Sequence, residues 1–115
     1  MALTKAFRET VRARAERDPR FREALFSEAL NAWLAGDGAA GRALLRDLVN
    51  ATIGFEALAR ATGRPVKSLH RMLSRSGNPT SESLFQIVQA LARATGLRLS
   101  VIVESPPPRR RRTAA

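Results

Sequence analysis

An all-α fold of five to six helices followed by one C-terminal β-strand is what this sequence predicts, on three observations. Apolar residues recur every three or four positions through most of the 115 residues. Recognisable caps and glycines punctuate those stretches, and the period falls to two only after Gly96. With 44% hydrophobic residues the chain has enough apolar side chains for one modest core, and at this length no second core is expected.

The elements follow in order. Leu3, Phe7 and Val11, behind Thr4 as N-cap, outline a short first helix. Asp18 caps a second, Pro19 fits its first turn, and Phe21, Leu25, Phe26, Ala29, Leu30 and Trp33 form its apolar face until Gly36-Asp37-Gly38 closes it. Leu44, Leu45, Leu48 and Val49 mark a third helix, broken at Ile53-Gly54 before a fourth, FEALARAT, which ends at Gly63. A fifth, short helix begins at Pro65 with Leu69, Met72 and Leu73 inward and stops before SRSGNP. Thr80 caps a sixth, carrying Leu84, Ile87, Val88 and Leu91 as far as Gly96.

Beyond Gly96, Leu97, Leu99, Val101 and Val103 alternate with Arg98, Ser100, Ile102 and Glu104, the period of a strand. A lone strand leaves its backbone groups without partners. A second copy of the chain paired across a two-fold axis would supply them and make a homodimer, and the first residues of the chain or another protein are the other sources of a pairing strand. Three prolines and four arginines then define a tail, 105–115, expected to be disordered. The expected organisation is an N-terminal helical pair over 1–36 packed on the domain, a helical domain over 37–96, a dimerising strand over 97–104, and the tail.

The net charge of +10 is unevenly distributed. Residues 1–36 carry seven bases and five acids, 37–63 three of each and 81–104 two of each. The surplus lies in 64–80, with Arg64, Lys67, Arg71 and Arg75 and no acid, and in Arg109–Arg112 of the tail. Both acid-free stretches suit a polyanion. The chain has no cysteine, which removes disulfides, thiolate metal sites and thiol nucleophiles and is compatible with a reducing cytoplasm. No apolar run reaches the roughly 18 residues of a membrane span, and the charged N-terminus does not read as a signal peptide. No membrane association is expected.

The strongest functional signal lies between Phe55 and Leu73. Two short helices meeting at a tight corner need a small residue at the contact, a glycine in the turn and a branched apolar residue to hold the second helix. Ala59, Gly63 and Leu69 fill those positions, so the segment reads as a helix-turn-helix. With Leu69, Met72 and Leu73 inward, the second helix offers Val66, Lys67, Ser68, His70 and Arg71 outward, flanked by Arg64 and Arg75. Those residues suit base edges and phosphates of double-stranded DNA. His70, the only histidine, has no companions at the spacing of a metal site or triad, and neither paired carboxylates, a glycine-rich phosphate loop nor a nucleophile-base spacing occurs. No enzyme activity, catalytic residue, metal or cofactor is expected. Trp33, Phe21 and Phe26 read as packing residues.

The arrangement from RALLRDLVN through GNPTSESLFQIVQALARATGLRL resembles the Xre/Cro-type, lambda-repressor-like domain. Residues 3–104 are similar to the probable addiction module antidote proteins, related to HigA-type antitoxins, through LTKAFRETVRARAERDPRF, RDLVNATIGFEALARATGRPVKSLHRMLS and GNPT. That resemblance implies an antitoxin that represses its own promoter and neutralises a cognate RelE/HigB-like toxin, with operator DNA and the toxin as partners. Phe55 stands where Xre-type repressors often carry a phosphate-contacting glutamine, and Arg64 where they carry an apolar residue after the turn glycine. The toxin-binding surface is not assigned by charge, and the N-terminal pair of helices is the candidate for a toxin-facing or dimer-supporting element. The alternatives are a protein-binding inhibitor and a solitary helix-turn-helix regulator.

Overall fold

The computed structural model describes residues 5–108. Among the described residues the chain is all-helical: α1 (Lys5–Arg17), α2 (Pro19–Leu34), α3 (Gly38–Ala51), α4 (Gly54–Thr62), α5 (Val66–Met72) and α6 (Ser81–Thr95). Leu3, Thr4 and the arginine run 109–112 lie outside them.

The helix boundaries follow local chemistry. Asp18 separates α1 from α2: its Oδ1 accepts from the backbone N–H of Arg20 at 3.0 Å and of Phe21 at 3.3 Å, with Pro19 in the first turn. Arg22, one turn into α2, reaches back to the carbonyls of Ala15 and Glu16 at 3.0 and 3.2 Å. The first two helices are thus joined through both of their orphaned ends. Asp37 caps α3 through Ala40 N–H at 3.1 Å, and Thr80 caps α6 through Ser83 N–H at 3.1 Å. Gly63 and Gly96 terminate α4 and α6 in the left-handed conformation, at φ 70° and 71°.

α3 sits at the centre, touching α1, α2 and α4. Its Leu45, Leu48 and Val49 are sealed from solvent with Phe26 of α2, Leu58 of α4, Leu69 of α5, Leu73, and Ile87 and Leu91 of α6. These residues belong to a single core that also takes in Ala15 and Phe55. α2 and α3 approach closely at Gly41, where a Cβ would lie 2.5 Å from Cε3 of Trp33. Trp33 therefore packs between helices and is only partly exposed.

Two expectations are corrected. Phe7, placed in the apolar row of α1, is 52% exposed; among the described side chains of α1 the fully buried one is Ala15, whose small size lets the helix lie close to the core. The strand expected over 97–104 does not form, and among the described residues there is no strand at all. A β ladder needs a second strand to exchange hydrogen bonds with, and among the described residues there is none beside this segment. Leu97 still packs on the core, its N–H bonded to Ala92 O at 2.9 Å, and the backbone beyond it is exposed.

Candidate nucleic-acid interface

The corner between α4 and α5 is built from local bonds. Thr62 Oγ1 donates back to Leu58 O at 2.8 Å, and Gly63 N–H reaches Ala59 O at 2.9 Å. Gly63 has φ +70°, a conformation costly to any residue with a Cβ, so the helix stops there and the chain turns. Pro65, at φ −62° and ψ 144°, then sets the entry to α5, and its carbonyl accepts the first helical bond from Leu69.

The short α5 is held from three sides. Leu69 and Leu73 are fully buried, with Met72 and Val66 packed against the same core. Its C-terminal end, where free carbonyls gather partial negative charge, is met by two arginines of α3. Arg46 Nη1 donates to Leu73 O at 2.9 Å; Arg42 Nε donates to Ser74 O at 3.1 Å and its Nη2 to Arg75 O at 3.1 Å. Gly77 closes against the same end, since a Cβ there would overlap the carbonyl oxygen of Met72. A helix of seven residues would be marginal alone. Here it is pinned by its apolar face and by three charge-assisted bonds to the carbonyls of its cap and of the turn that follows, Leu73, Ser74 and Arg75.

What remains outward is cationic. Lys67, His70, Arg71 and Arg75 are exposed, and Ser68 is half-exposed. Lys67 and Arg71 stand four residues apart, on one helical face. Among the described residues, Lys67, Arg71 and Arg75 form no ion pair. Two side chains of the set are held in place. The ring of His70 stacks on that of buried Phe55, centroids 3.9 Å apart and planes 21° from parallel. Arg64 Nε donates to Gln86 Oε1 of α6 at 2.9 Å.

Val66, among the seven residues expected at the interface, borders the core. It packs against the core and is half-buried, because the first turn of α5 lies directly over the apolar interior. Arg64 is half-buried and tied to α6. Lys67, His70, Arg71 and Ser68 share α5, while Arg75 follows its C-terminal cap. Sequence reasoning missed Arg42, Arg46 and Gln86, which position the site from elements 22 to 33 residues away, and no local signal marks such pairings.

Among the described residues, no three His, Cys, Asp or Glu side chains gather where a metal ion could be held, and no helix is long and apolar enough to cross a membrane. No protein-family model, curated protein or solved structure matches the chain.

Proposed function

We propose that this chain is a helix-turn-helix protein of the Xre/Cro type that binds double-stranded operator DNA as a homodimer, represses its own operon, and acts as the antitoxin that neutralises a RelE/HigB-like toxin. The observation carrying the DNA reading is the exposed, carboxylate-free Lys67–Arg71 face of α5, on a helix fixed by its core contacts and by Arg42 and Arg46. Rigid placement matters because base readout requires donors held to within a fraction of an ångström. Lys67 and Arg71 have the donors for guanine O6 and N7 or for phosphates, and Ser68 and His70 add hydrogen bonds. The antitoxin role rests on the resemblance of the GF-x-x-LA-x-x-TG-x-P-x-KSLHRML stretch to antidote proteins.

Two α5 helices about 34 Å apart would enter successive major grooves, so operator half-sites are inverted repeats. If each subunit neutralises about four phosphates, log affinity falls with log salt at a slope of about seven. The test is a binding titration on the DNA upstream of the gene at several salt concentrations, with the Lys67→Ala, Arg71→Ala double variant alongside. A slope near zero, or full affinity in the double variant, sinks the reading. Co-purification with the neighbouring gene product tests the antitoxin half separately.

A protein-binding inhibitor is the second reading, favoured by Leu34 and Phe85, which are 72% and 63% exposed. It predicts a tight complex with that product and no footprint on the promoter.

A further inference from the structure

The segment after α6 leaves the helical body with its apolar side chains uncovered. Leu99, Val101, Ile102 and Val103 are 39%, 76%, 81% and 93% exposed. Among the described residues, no backbone hydrogen bond involves residues 98–104. A run of this kind is an unpaired strand edge, which natural chains rarely leave open. It is also sharply bounded: Gly96, at φ +71°, ends the helix before it, and Pro106, without an N–H, ends any ladder after it.

We infer that this segment pairs with the same segment of a second copy as an antiparallel two-stranded ribbon centred on Val101. The register follows from charge and face. In antiparallel pairs, residues directly opposite one another lie on the same face of the ribbon. Centring on Val101 sets Leu99 against Val103 and Val101 against itself, so one face is wholly apolar. It also sets Arg98 against the partner's Glu104, and Glu104 against the partner's Arg98, giving two opposite-charge pairs.

Each neighbouring register loses this. Centring between Ser100 and Val101 puts Leu99 against Ile102 and Arg98 against Val103, mixing the faces. Centring on Ser100 sets Arg98 against Ile102 and runs Glu104 onto the Gly96 helix cap. Centring on Ile102 sets Glu104 against Ser100 and Arg98 against Pro106. Only the Val101 register uses both charges and keeps the ladder between the glycine and the proline. Leu97, already seated on the core, belongs to the same face as Leu99, Val101 and Val103. The apolar face of the ribbon therefore turns toward the helical bodies, the cover that an isolated two-stranded ribbon needs to be stable.

The inference deepens the dimer of the proposed function and rests on that reading only for the purpose of the pairing; its test needs no DNA. The chain has no cysteine, so single cysteines placed at 99 to 103 in the full chain report proximity without background. Opposed strand residues lie about 4.5 to 5.5 Å apart at Cα, within the range a disulfide spans. Under mild oxidation Val101→Cys is expected to cross-link to itself most efficiently, and Ser100→Cys to cross-link with Ile102→Cys when the two chains are mixed. By sedimentation, Arg98→Glu or Glu104→Arg alone is expected to weaken the dimer on the order of tenfold, as two attractive pairs become repulsive. The double reversal is expected to restore it, which loss of general surface polarity would not do.

A chain that stays monomeric at every concentration, a cross-linking maximum at 100 or 102, or a double reversal no better than the singles overturns the inference. A cross-linked dimer that ignores promoter DNA would remove the DNA reading and leave the ribbon standing. A monomer that binds the promoter would do the reverse.

Discussion

His70 lies flat against Phe55, their ring centroids 3.9 Å apart, so the exposed imidazole on α5 rests on a phenyl ring that is only 6% exposed. The contact joins the first turn of α4 to the outward side of α5 and fixes a side chain that would otherwise sweep through solvent. Phe55 also belongs to the core, whereas His70 does not. The two residues therefore separate under mutation. His70→Ala is expected to cost about 0.5–1.5 kcal/mol, the worth of one aromatic pair, and Phe55→Ala about 3–5 kcal/mol, since it also opens a cavity. Urea denaturation of both variants and of the double variant measures the difference; equal losses would contradict the assignment of Phe55 to the core.

The grip of α3 on the end of α5 gives a second expectation. Arg46 and Arg42 supply charged donors to Leu73, Ser74 and Arg75 carbonyls. A hydrogen bond to a charged group contributes about 1.5–3 kcal/mol, and the bond from Arg46, the shortest of the three at 2.9 Å and part-buried, is expected to be costly to lose. Arg46→Ala should lower stability by an amount in that range and speed amide exchange across Val66–Met72, the span of α5. If α5 is the recognition helix, DNA affinity falls with it although Arg46 is assigned no DNA contact. Unchanged exchange in α5 would show that its core contacts alone hold it.

Packing between α2 and α3 makes a third. Alanine is a better helix former than glycine by about 1 kcal/mol, so Gly41→Ala would stabilise α3 if the space were open. It is filled by the indole of Trp33, and overpacking costs about 1–3 kcal/mol. The substitution is expected to destabilise the chain in the natural background and to become neutral or stabilising in a Trp33→Ala background. The coupling energy from a double-mutant cycle checks this; additive effects would mean that the helices move apart freely.

What the sequence made legible is what is decided locally. Asp18, Asp37 and Thr80 each bond a backbone N–H within three residues, and Gly63 and Gly96 each end a helix by their own φ. Such features are written in short strings of residues, and the helical boundaries followed from them. The arginine grip was not legible, because Arg42 and Arg46 find their carbonyls across 27 to 33 residues of chain. The half-burial of Val66 was not legible for a related reason. Its position on the helical wheel borders the apolar stripe, and only the placement of α5 over the core decides which side it takes. The strand was read from a true alternation, but a period of two states only what a segment is suited to pair as, and among the described residues no second strand stands beside it.

The last expectation concerns the cations of the candidate interface. Lys67 and Arg71 share the outward face of α5, whereas Arg75 follows its cap and has its carbonyl held by Arg42. A base contact and a phosphate contact differ in what their loss does. Removing a side chain that reads a base costs about 1–3 kcal/mol on the operator and little on unrelated DNA, while removing a phosphate contact weakens all sequences alike and lowers the salt slope by about one per subunit. Arg71→Ala is therefore expected to reduce the ratio of specific to non-specific affinity, and Arg75→Ala to leave that ratio intact while flattening the salt dependence. Binding titrations of each variant on operator and scrambled duplexes, at two or more salt concentrations, distinguish the roles. If Arg71→Ala lowered both affinities equally, α5 would be lying along the backbone instead of in the groove.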